Sequence, residues 1–222
     1  VLIEYSNISE FSNESTFLNT SPYTFDASLF GFFLPLLKGG KTVFFENYGL
    51  DATLKVSKTG YVIKQLNVTH IFLVPSYAEI LFRTNTKDIF NTLLNVTIGG
   101  EAFSSQLREL CKDNLNDKCQ ILNIYGPSET TIFSLYSVVD RSSSNDIPIG
   151  KPINGVLTIL NPIGNDDNES FELLIGGSTL SNGYYDLKLN KGKFIIYDNI
   201  KYYKTGDIVE LKQDGNFYYR GR

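Results

Sequence analysis

The stretch Asn123-Ile-Tyr-Gly-Pro-Ser-Glu-Thr-Thr131 follows a run of strand-forming residues that begins at Cys119. Gly126 and Pro127 are expected to end that strand, because glycine permits unusual backbone dihedrals and proline lacks a backbone donor. Hydroxyl side chains and the carboxylate of Glu129 follow immediately. Open α/β sheets bind ligands at the carboxyl ends of their strands. An aromatic ring, backbone donors, hydroxyls and one acid suit a nucleotide with Mg²⁺, so this loop is a predicted nucleotide site.

Alternating strand and helix patterns extend over residues 1–150 and predict a mainly parallel sheet flanked by helices. Ser28, Asp51 and Ser104 stand at predicted N-caps, and Gly39 stands where a helix would end. Short strands broken by Gly, Asn and Asp fill residues 151–222, which predicts a smaller antiparallel, barrel-like β subdomain. After an initial helix and strand, the predicted helices are 29–38, 51–65, 76–83 and 104–116, and the predicted strands are 41–46, 69–74, 93–98, 120–125, 155–160, 171–175, 202–205, 208–211 and 217–220.

The overall composition excludes several classes of protein. The chain has 222 residues, is 42% hydrophobic and 14% aromatic, and carries a net charge of -4. That charge argues against a surface for nucleic acid or for an anionic membrane. No apolar run approaches the roughly 20 residues that span a bilayer, and no signal peptide begins the chain, so we expect a cytoplasmic protein. The sequence lacks methionine altogether, which we interpret as an excised piece or a processed product.

The cysteines and the histidine indicate structural roles. Cys111 and Cys119 are interpreted as reduced thiols. His70 begins a predicted apolar strand, where a packing role is expected, and the absence of Cys-x-x-Cys excludes the usual zinc patterns. Asn-x-Ser/Thr triplets are expected by chance in a chain this rich in Asn, Ser and Thr, and a glycan would not fit beside the predicted buried strand at Asn95. The triplets begin at Asn7, Asn13, Asn19, Asn67, Asn95 and Asn168.

Asp26 allows two interpretations. It lies in Phe25-Asp-Ala-Ser28, between a predicted strand and an apolar helix, where it would be either a capping acid or a carboxylate that binds a cationic ligand. Phe30, Phe32 and Phe33 make its predicted surroundings apolar. Removing one partner from a buried ion pair costs about 3–5 kcal/mol, so such an acid would discriminate strongly for ligands that carry an ammonium group.

Two further turns are ambiguous when taken alone. Ile98-Gly-Gly-Glu-Ala102 is either an ordinary turn between strand and helix or a place where the backbone approaches a flat ligand. Tyr203-Lys-Thr-Gly-Asp207 is either a hairpin turn or a strand end whose carboxylate binds ribose hydroxyls. The glycines between Phe171 and Gly183 fit simple turns.

The order of these motifs resembles the adenylation domains of nonribosomal peptide synthetases, within the acyl-adenylate-forming superfamily. The motifs occupy residues 25–28, 99–102, 123–129, 172–184 and 203–207, so the resemblance covers essentially the whole chain. It implies an ATP-dependent, AMP-forming ligase that activates an amino acid with the help of Mg²⁺. The acceptor of the acyl group would be the phosphopantetheine thiol of a peptidyl carrier protein, and the neighbouring synthetase domains would include a condensation domain.

The resemblance also assigns nucleotide roles to individual positions. Glu129 would hold Mg²⁺, and the Ser128 hydroxyl, which replaces the usual Thr, would lie near the phosphates. Asp207 would bind the ribose hydroxyls, with Arg222 nearby. Tyr125 would lie against the adenine ring, where stacking is worth ~1–3 kcal/mol. The remaining nucleotide positions would be Gly100, Glu101, Ala102, Asn123 and Gly126.

The amino-acid site follows from the same resemblance. Asp26 would pair with the α-ammonium group, and apart from Thr97 the implied side-chain pocket offers nothing polar. This favours a branched aliphatic amino acid, and because one methylene is worth only ~1–3 kcal/mol, isoleucine, valine and leucine all stay open. The implied pocket residues are Ala27, Phe30, Phe72, Thr97, Gly99, Ile124, Ile132 and Phe133.

Two parts of the family pattern match no segment of this chain. These are the Ser/Thr/Gly-rich phosphate loop and the small C-terminal lid subdomain, which carries a lysine that would stabilise developing negative charge. We therefore expect the chain alone to be inactive as an enzyme. The alternatives are an acyl-CoA or aryl-acid ligase or a D-alanine–carrier ligase of the same superfamily, and a non-catalytic binding or interaction module.

Overall fold

The computed structural model describes residues 1–44, 52–163 and 171–222. The chain separates into two compact units. The first, which we call the parallel-sheet unit, comprises Leu2–Asn123 and Val138–Ile147. The second, which we call the antiparallel-sheet unit, comprises Ile124–Ser137 and Pro148–Arg222, together with Val1.

The parallel-sheet unit alternates strands with helices. Its strands follow the order β2-β1-β3-β4-β5, and the pairs β1–β2, β1–β3 and β3–β4 are parallel. The last two residues of β5 belong to the antiparallel-sheet unit. The strands are β1 (Thr16–Asn19), β2 (Lys41–Phe44), β3 (His70–Leu73), β4 (Asn95–Gly99) and β5 (Gln120–Tyr125), and the helices are α1 (Leu2–Ile8), α2 (Ser28–Lys38), α3 (Ala52–Gln65), α4 (Pro75–Thr84) and α5 (Ser105–Asn114).

Burial on both faces of this sheet explains its sequence. Strands β1, β3 and β4 are buried at every position, as expected for strands covered by helices on both sides. Ile71, Leu73, Val96 and Ile98 contribute to one continuous apolar core. Each fully buried aliphatic side chain of this kind stabilises the fold by about 1.5–3 kcal/mol.

Local signals set the ends of several helices. Pro75 begins α4 at a position where its missing N–H costs nothing. Ser104 precedes α5 and its hydroxyl accepts a hydrogen bond from Leu107 N at 3.0 Å, which confirms the predicted N-cap. Gly39 ends α2 in the left-handed conformation, with its N–H donating to Pro35 O.

The antiparallel-sheet unit is built from short strands and one long strand. Strands β6 (Leu135–Val138) and β7 (Lys151–Pro152) form one antiparallel pair. The described residues also form a five-stranded sheet in which β10, β11, β9 and β8 follow one another and β12 pairs with β11. Its strands are β8 (Val156–Pro162), β9 (Phe171–Gly177), β10 (Phe194–Tyr197), β11 (Ile200–Leu211) and β12 (Phe217–Gly221).

The predicted fold class is confirmed: a mainly parallel sheet with helices precedes an antiparallel β region. The division predicted at residue 150 stays a prediction. Four predictions concern positions outside the described residues. These are the helix cap at Asp51, residues 45–46 of a predicted strand, residues 164–170 of a predicted loop and the triplet at Asn168.

Three local predictions are wrong. Ser28 does not cap α2: it is the first residue of the helix, and its hydroxyl donates to Tyr23 O at 3.4 Å. Phe25 does not end a strand, since β1 stops at Asn19. The strands predicted at 202–205 and 208–211 are one strand, because the segment around Gly206 forms an irregularity within β11 rather than a turn.

Candidate functional site

The loop after β5 lies in the antiparallel-sheet unit and has little freedom. The Tyr125 carbonyl accepts a hydrogen bond from Ser134 N at 2.8 Å, which closes the loop between β5 and β6. A Cβ atom at Gly126 would lie 2.6 Å from Phe133 Cα. Gly126 therefore permits a close backbone approach that no other residue allows. The Ser128 side chain is exposed at the start of a short 3₁₀ turn, Ser128–Thr130.

The backbone after this turn is strained. Thr131 and Ile132 both have a φ of 64°, a left-handed conformation that is unusual for β-branched residues. Phe133 N donates to Thr131 O at 2.8 Å and so closes a three-residue turn. The Thr131 hydroxyl donates to Thr179 O at 2.8 Å. Such strain persists only where the surroundings enforce it, and it clusters at functional sites.

Glu129 is held by residues from later in the chain. Its Oε1 accepts a hydrogen bond from the Tyr184 hydroxyl, and its carbonyl accepts one from Ser181 N at 2.8 Å. The Tyr184 hydroxyl lies 3.5 Å from the Tyr203 hydroxyl. The hydrogen bond to Glu129 raises the pKa of Tyr184 above its ordinary value of 10, so this phenol stays a donor at neutral pH.

Asp207 lies at the centre of a second polar group in the same unit. The residue is only 7% exposed, and its Oδ2 accepts a hydrogen bond from the Tyr125 hydroxyl at 2.6 Å. Arg222 Nε donates to Oδ1 at 2.9 Å, and Arg222 also donates to Thr205 O at 3.3 Å. Burial raises the pKa of Tyr125, and the bond to Asp207 raises it further. The structure thus brings together three of the residues that sequence analysis selected.

One of these three side chains, that of Tyr125, has a contact that its predicted role did not include. Tyr125 was predicted to lie against adenine, and here its hydroxyl bonds to Asp207 while its ring is half-buried. Arg222 is largely exposed, and the Asp207 carboxylate raises its pKa. The hydrogen bond from the Arg222 guanidinium to Asp207 is of the charge-assisted kind, which holds a carboxylate firmly in one position.

The predicted nucleotide residues of the parallel-sheet unit lie after β4 and at the end of β5. Gly100, with a φ of 90°, and Ala102 are both exposed, whereas Asn123 is buried. The Glu101 carboxylate is engaged at the start of α4, where it accepts 3.0 Å hydrogen bonds from Ser76 N and Ser76 Oγ. Glu101 therefore caps a helix, which sequence analysis did not predict.

Asp26 lies in a turn between β1 and α2 and is half-buried, not deeply buried as predicted. Its carbonyl accepts a hydrogen bond from Leu29 N at 2.9 Å. The expectation of wholly apolar surroundings fails because Phe32 and Phe33 are 41% and 46% exposed on α2. Only Phe30 of these three aromatic residues is buried.

The predicted pocket residues are mostly buried within their own units. In the parallel-sheet unit, the rings of Phe30 and Phe72 lie 5.9 Å apart. The Thr97 hydroxyl lies 2.9 Å from the Tyr5 hydroxyl and donates to Asn95 Oδ1 at 2.7 Å. Ala27 and Gly99 are buried in that unit, as are Ile124, Ile132 and Phe133 in the antiparallel-sheet unit.

The described residues fit magnesium as a metal shared with a phosphate ligand. No group of three or more His, Cys, Asp or Glu side chains able to hold a metal occurs among the described residues. Mg²⁺ is usually bound through one or two carboxylates, with phosphates and water completing its shell. The single carboxylate of Glu129 is compatible with that mode.

Sequence analysis missed three residues that organise these groups. Tyr184 and Tyr203 stand inside motifs that were quoted, but they received no role. Glu172 is buried at the start of β9 and accepts a hydrogen bond from Gly206 N at 3.0 Å. The signal available in the sequence was an acid inside an otherwise apolar strand, Phe171 to Ile175.

Comparison with known proteins identifies the family. A family model described as AMP-binding enzyme matches residues 2–185, and the chain therefore belongs to this family. Tyrocidine synthase 3 from Brevibacillus parabrevis is 32% identical over 225 residues, covering 95% of this chain and 3% of that protein. Dapdiamide synthesis protein DdaD from Enterobacter agglomerans is 32% identical over 176 residues, covering 76% of this chain and 29% of that protein.

Solved structures share the fold. The nonribosomal peptide synthetase FmoA3 matches with a TM-score of 0.88 and 21% identity, over 100% of this chain and 25% of that one. The N-terminal subdomain of Klebsiella oxytoca NpsA, in complex with 3-hydroxybenzoyl-AMSN, matches with a TM-score of 0.81 and 22% identity, over 97% of this chain and 56% of that one. Together with the family model and the curated relatives, this shared fold confirms the resemblance to adenylation domains.

Two further facts concern the length of the relatives and the helices of this chain. The chain spans less than a third of the length of the curated relatives just named. Within residues 1–44, 52–163 and 171–222, no helix combines the length and apolar character that crossing a membrane requires.

Proposed function

We propose that this chain forms the nucleotide-binding and amino-acid-binding part of an adenylation domain in a cytoplasmic synthetase. In the proposed reaction, the carboxylate of an amino acid attacks the α-phosphate of ATP, which gives aminoacyl-AMP and pyrophosphate. The phosphopantetheine thiol of a peptidyl carrier protein then accepts the acyl group as a thioester, and a condensation domain is among the neighbouring partners.

The observation that carries this proposal is the group formed by Tyr125, Asp207 and Arg222. Asp207 is buried, and it is held by hydrogen bonds from a phenol and a guanidinium. A carboxylate in that state can accept hydrogen bonds from vicinal ribose hydroxyls, the role that acids play in dinucleotide sites. We place the phosphates near Ser128, and Mg²⁺ would be held by Glu129 and would balance phosphate charge.

Nucleotide binding tests the proposal directly. ATP affinity would be measured by isothermal titration for the wild-type chain, Asp207→Asn and, as a control, Asp113→Asn on the exposed face of α5. Hydrogen bonds to charged groups are worth about 1.5–3 kcal/mol, so we expect Asp207→Asn to lose about tenfold or more in affinity. Equal affinity of Asp207→Asn and the wild type would overturn the proposed ribose role.

We further propose that the substrate is a branched aliphatic amino acid whose ammonium group pairs with Asp26. The support is the apolar character of the predicted pocket residues and the position of Asp26 before α2. Leucine and 4-methylpentanoate differ in the ammonium group, so their affinities isolate its contribution. Asp26→Asn should weaken leucine binding and leave 4-methylpentanoate binding unchanged. Equal effects on both ligands would favour an acyl-CoA or aryl-acid ligase instead.

Finally, we propose that the 222-residue chain does not catalyse efficient adenylation alone. The resemblance to the family gives none of these 222 residues the role of the lysine that would stabilise negative charge on the reacting groups, and charge stabilisation of that kind is usually a large catalytic effect. Pyrophosphate exchange with leucine, isoleucine and valine should therefore stay close to background. Rapid exchange by the chain alone would disprove this part of the proposal.

A further inference from the structure

Glu129 is fixed at both its backbone and its side chain by the segment that follows β9. Its carbonyl accepts a hydrogen bond from Ser181 N, and its Oε1 accepts one from the Tyr184 hydroxyl. Because the two donors lie three residues apart, one segment sets both the position of the 3₁₀ turn and the rotation of the carboxylate.

Tyr184 is itself firmly supported. Its N–H donates to Asn190 Oδ1 at 2.8 Å, and Asn190 Nδ2 donates back to the Tyr184 carbonyl at 3.4 Å. Its ring packs edge-on against Phe194, with 5.9 Å between ring centroids. The phenol therefore presents its hydroxyl to Glu129 from a backbone that is anchored on both sides.

Tyr203 stands behind Tyr184. This residue is only 6% exposed, its ring centroid lies 5.3 Å from that of Phe194, and its hydroxyl lies 3.5 Å from the Tyr184 hydroxyl. The hydroxyls of Tyr184 and Tyr203 therefore lie next to each other beside one carboxylate.

We propose that Tyr184, supported by Tyr203, is a positioning residue that holds the Glu129 carboxylate in one orientation and makes the site prefer Mg²⁺ to Ca²⁺. The inference rests on the proposed function, since the metal concerned is the one that accompanies ATP. Oε1 already accepts a hydrogen bond. That bond occupies one of its lone-pair directions, so chelation of a metal by both carboxylate oxygens competes with it. Ca²⁺ takes six to eight oxygen ligands and often uses a carboxylate bidentately, whereas Mg²⁺ needs fewer ligands in a strict octahedron.

The test compares three forms of the nucleotide. Affinities of the chain for MgATP, CaATP and metal-free ATP would be measured by isothermal titration, with thermal unfolding used to verify that each variant is folded. Residues that orient a metal ligand typically change metal affinity by 10–100-fold, so we expect Tyr184→Phe to reduce the preference for MgATP over CaATP by about tenfold. Binding of metal-free ATP should not change.

Three further variants complete the design. Tyr203→Phe should shift the preference in the same direction, which keeps the inference testable if Tyr184→Phe does not fold. Tyr185→Phe is the matched control, since this neighbouring phenol is fully exposed and should behave as wild type. Glu129→Gln should abolish the preference for MgATP.

The outcomes separate this inference from the proposed function. Loss of the preference in Glu129→Gln but not in Tyr184→Phe or Tyr203→Phe would refute the positioning role and leave the proposed function intact. A wild-type chain that binds no form of ATP would refute both. Reduced preference in both tyrosine variants, with normal binding by Tyr185→Phe, would support the inference.

Discussion

Glu172 Oε1 accepts a hydrogen bond from the backbone N–H of Gly206 at 3.0 Å, between strands β9 and β11. The pairing register of these strands shifts between Lys204 and Ile208, and Lys204 Nζ lies 3.4 Å from Glu172 Oε2. A side chain thus provides the hydrogen-bond acceptor where the ladder is irregular. Asp207 lies within this irregular segment, so Glu172 contributes to the position of that acid.

We predict that Glu172→Ala destabilises the fold by about 1–3 kcal/mol, because the Gly206 N–H loses its acceptor in a partly buried position. Urea unfolding measures this change. The matched control is Glu210→Ala on the neighbouring strand β11, which removes an exposed ion pair with Arg220. Exposed pairs are worth about 0–1 kcal/mol, so equal losses in the two variants would contradict the role given to Glu172.

Gly126 should not tolerate a side chain. A Cβ atom there would lie 2.6 Å from Phe133 Cα and 2.7 Å from Ser134 N, so the backbone would have to move. We expect Gly126→Ala to cost at least about 2 kcal/mol in the free energy of unfolding, within the usual range for overpacking. Gly192→Asn is the control, since Gly192 has open space around it and asparagine accepts its positive φ. Similar unfolding curves for both variants would count against the steric argument.

Stability should fall as the pH is lowered through about 6.5. Burial lowers the pKa of His70 below its ordinary value of 6.5. The unfolded chain therefore binds a proton at pH values where the folded chain does not, and protonation favours unfolding. Urea midpoints at about pH 7.5 and about pH 5.5 measure the effect.

A change in stability near pH 6.5 can be attributed to His70 because the chain contains one histidine. The variant His70→Gln keeps a polar side chain near Ser9 and Thr69, which contact the two ring nitrogens of the wild type. Its midpoint should depend less on pH over this interval. An unchanged pH dependence in His70→Gln would assign the effect to other groups.

The thiols should be unreactive in the folded protein. Cys111 and Cys119 are free and buried, and burial raises the pKa of each from 9.0 to about 12. Since the thiolate is the reactive form, neither thiol should react with Ellman's reagent at about pH 8 until urea unfolds the chain. Two variants, each with one cysteine changed to serine, allow the reactivity of each thiol to be measured separately. Rapid labelling of a folded single-cysteine variant would contradict the burial argument for that thiol.

The sequence predicted the elements whose signals are local. The strand β5 was placed correctly because apolar residues run up to Gly126 and Pro127. Helix α5 was placed to within two residues because Ser104 carries its own capping hydroxyl. In each case the residues that decide the structure lie next to one another in the chain.

Contacts between distant residues could not be predicted in this way. Tyr184 and Glu129 are 55 positions apart, and Tyr125 and Asp207 are 82 positions apart. Gly206 was interpreted as a turn because glycine followed by an acid fits a turn. The chain does adopt a positive φ there, but pairing with β9 resumes at Ile208 and the strand continues. The burial of Asp26 was overestimated because Phe32 and Phe33 were assumed to be buried. Which face of α2 is exposed depends on the elements that pack against that helix, and the local sequence does not specify them.

The side-chain amide of Asn190 forms two hydrogen bonds with the backbone of Tyr184, and this pairing has an evolutionary consequence. The residues between these two positions, Tyr185 to Leu189, include no buried side chain. Substitutions and even a change of charge at this tip should accumulate without displacing the phenol, provided that Asn190 is kept. Related sequences would then diverge freely over these positions while the asparagine and the tyrosine are inherited together.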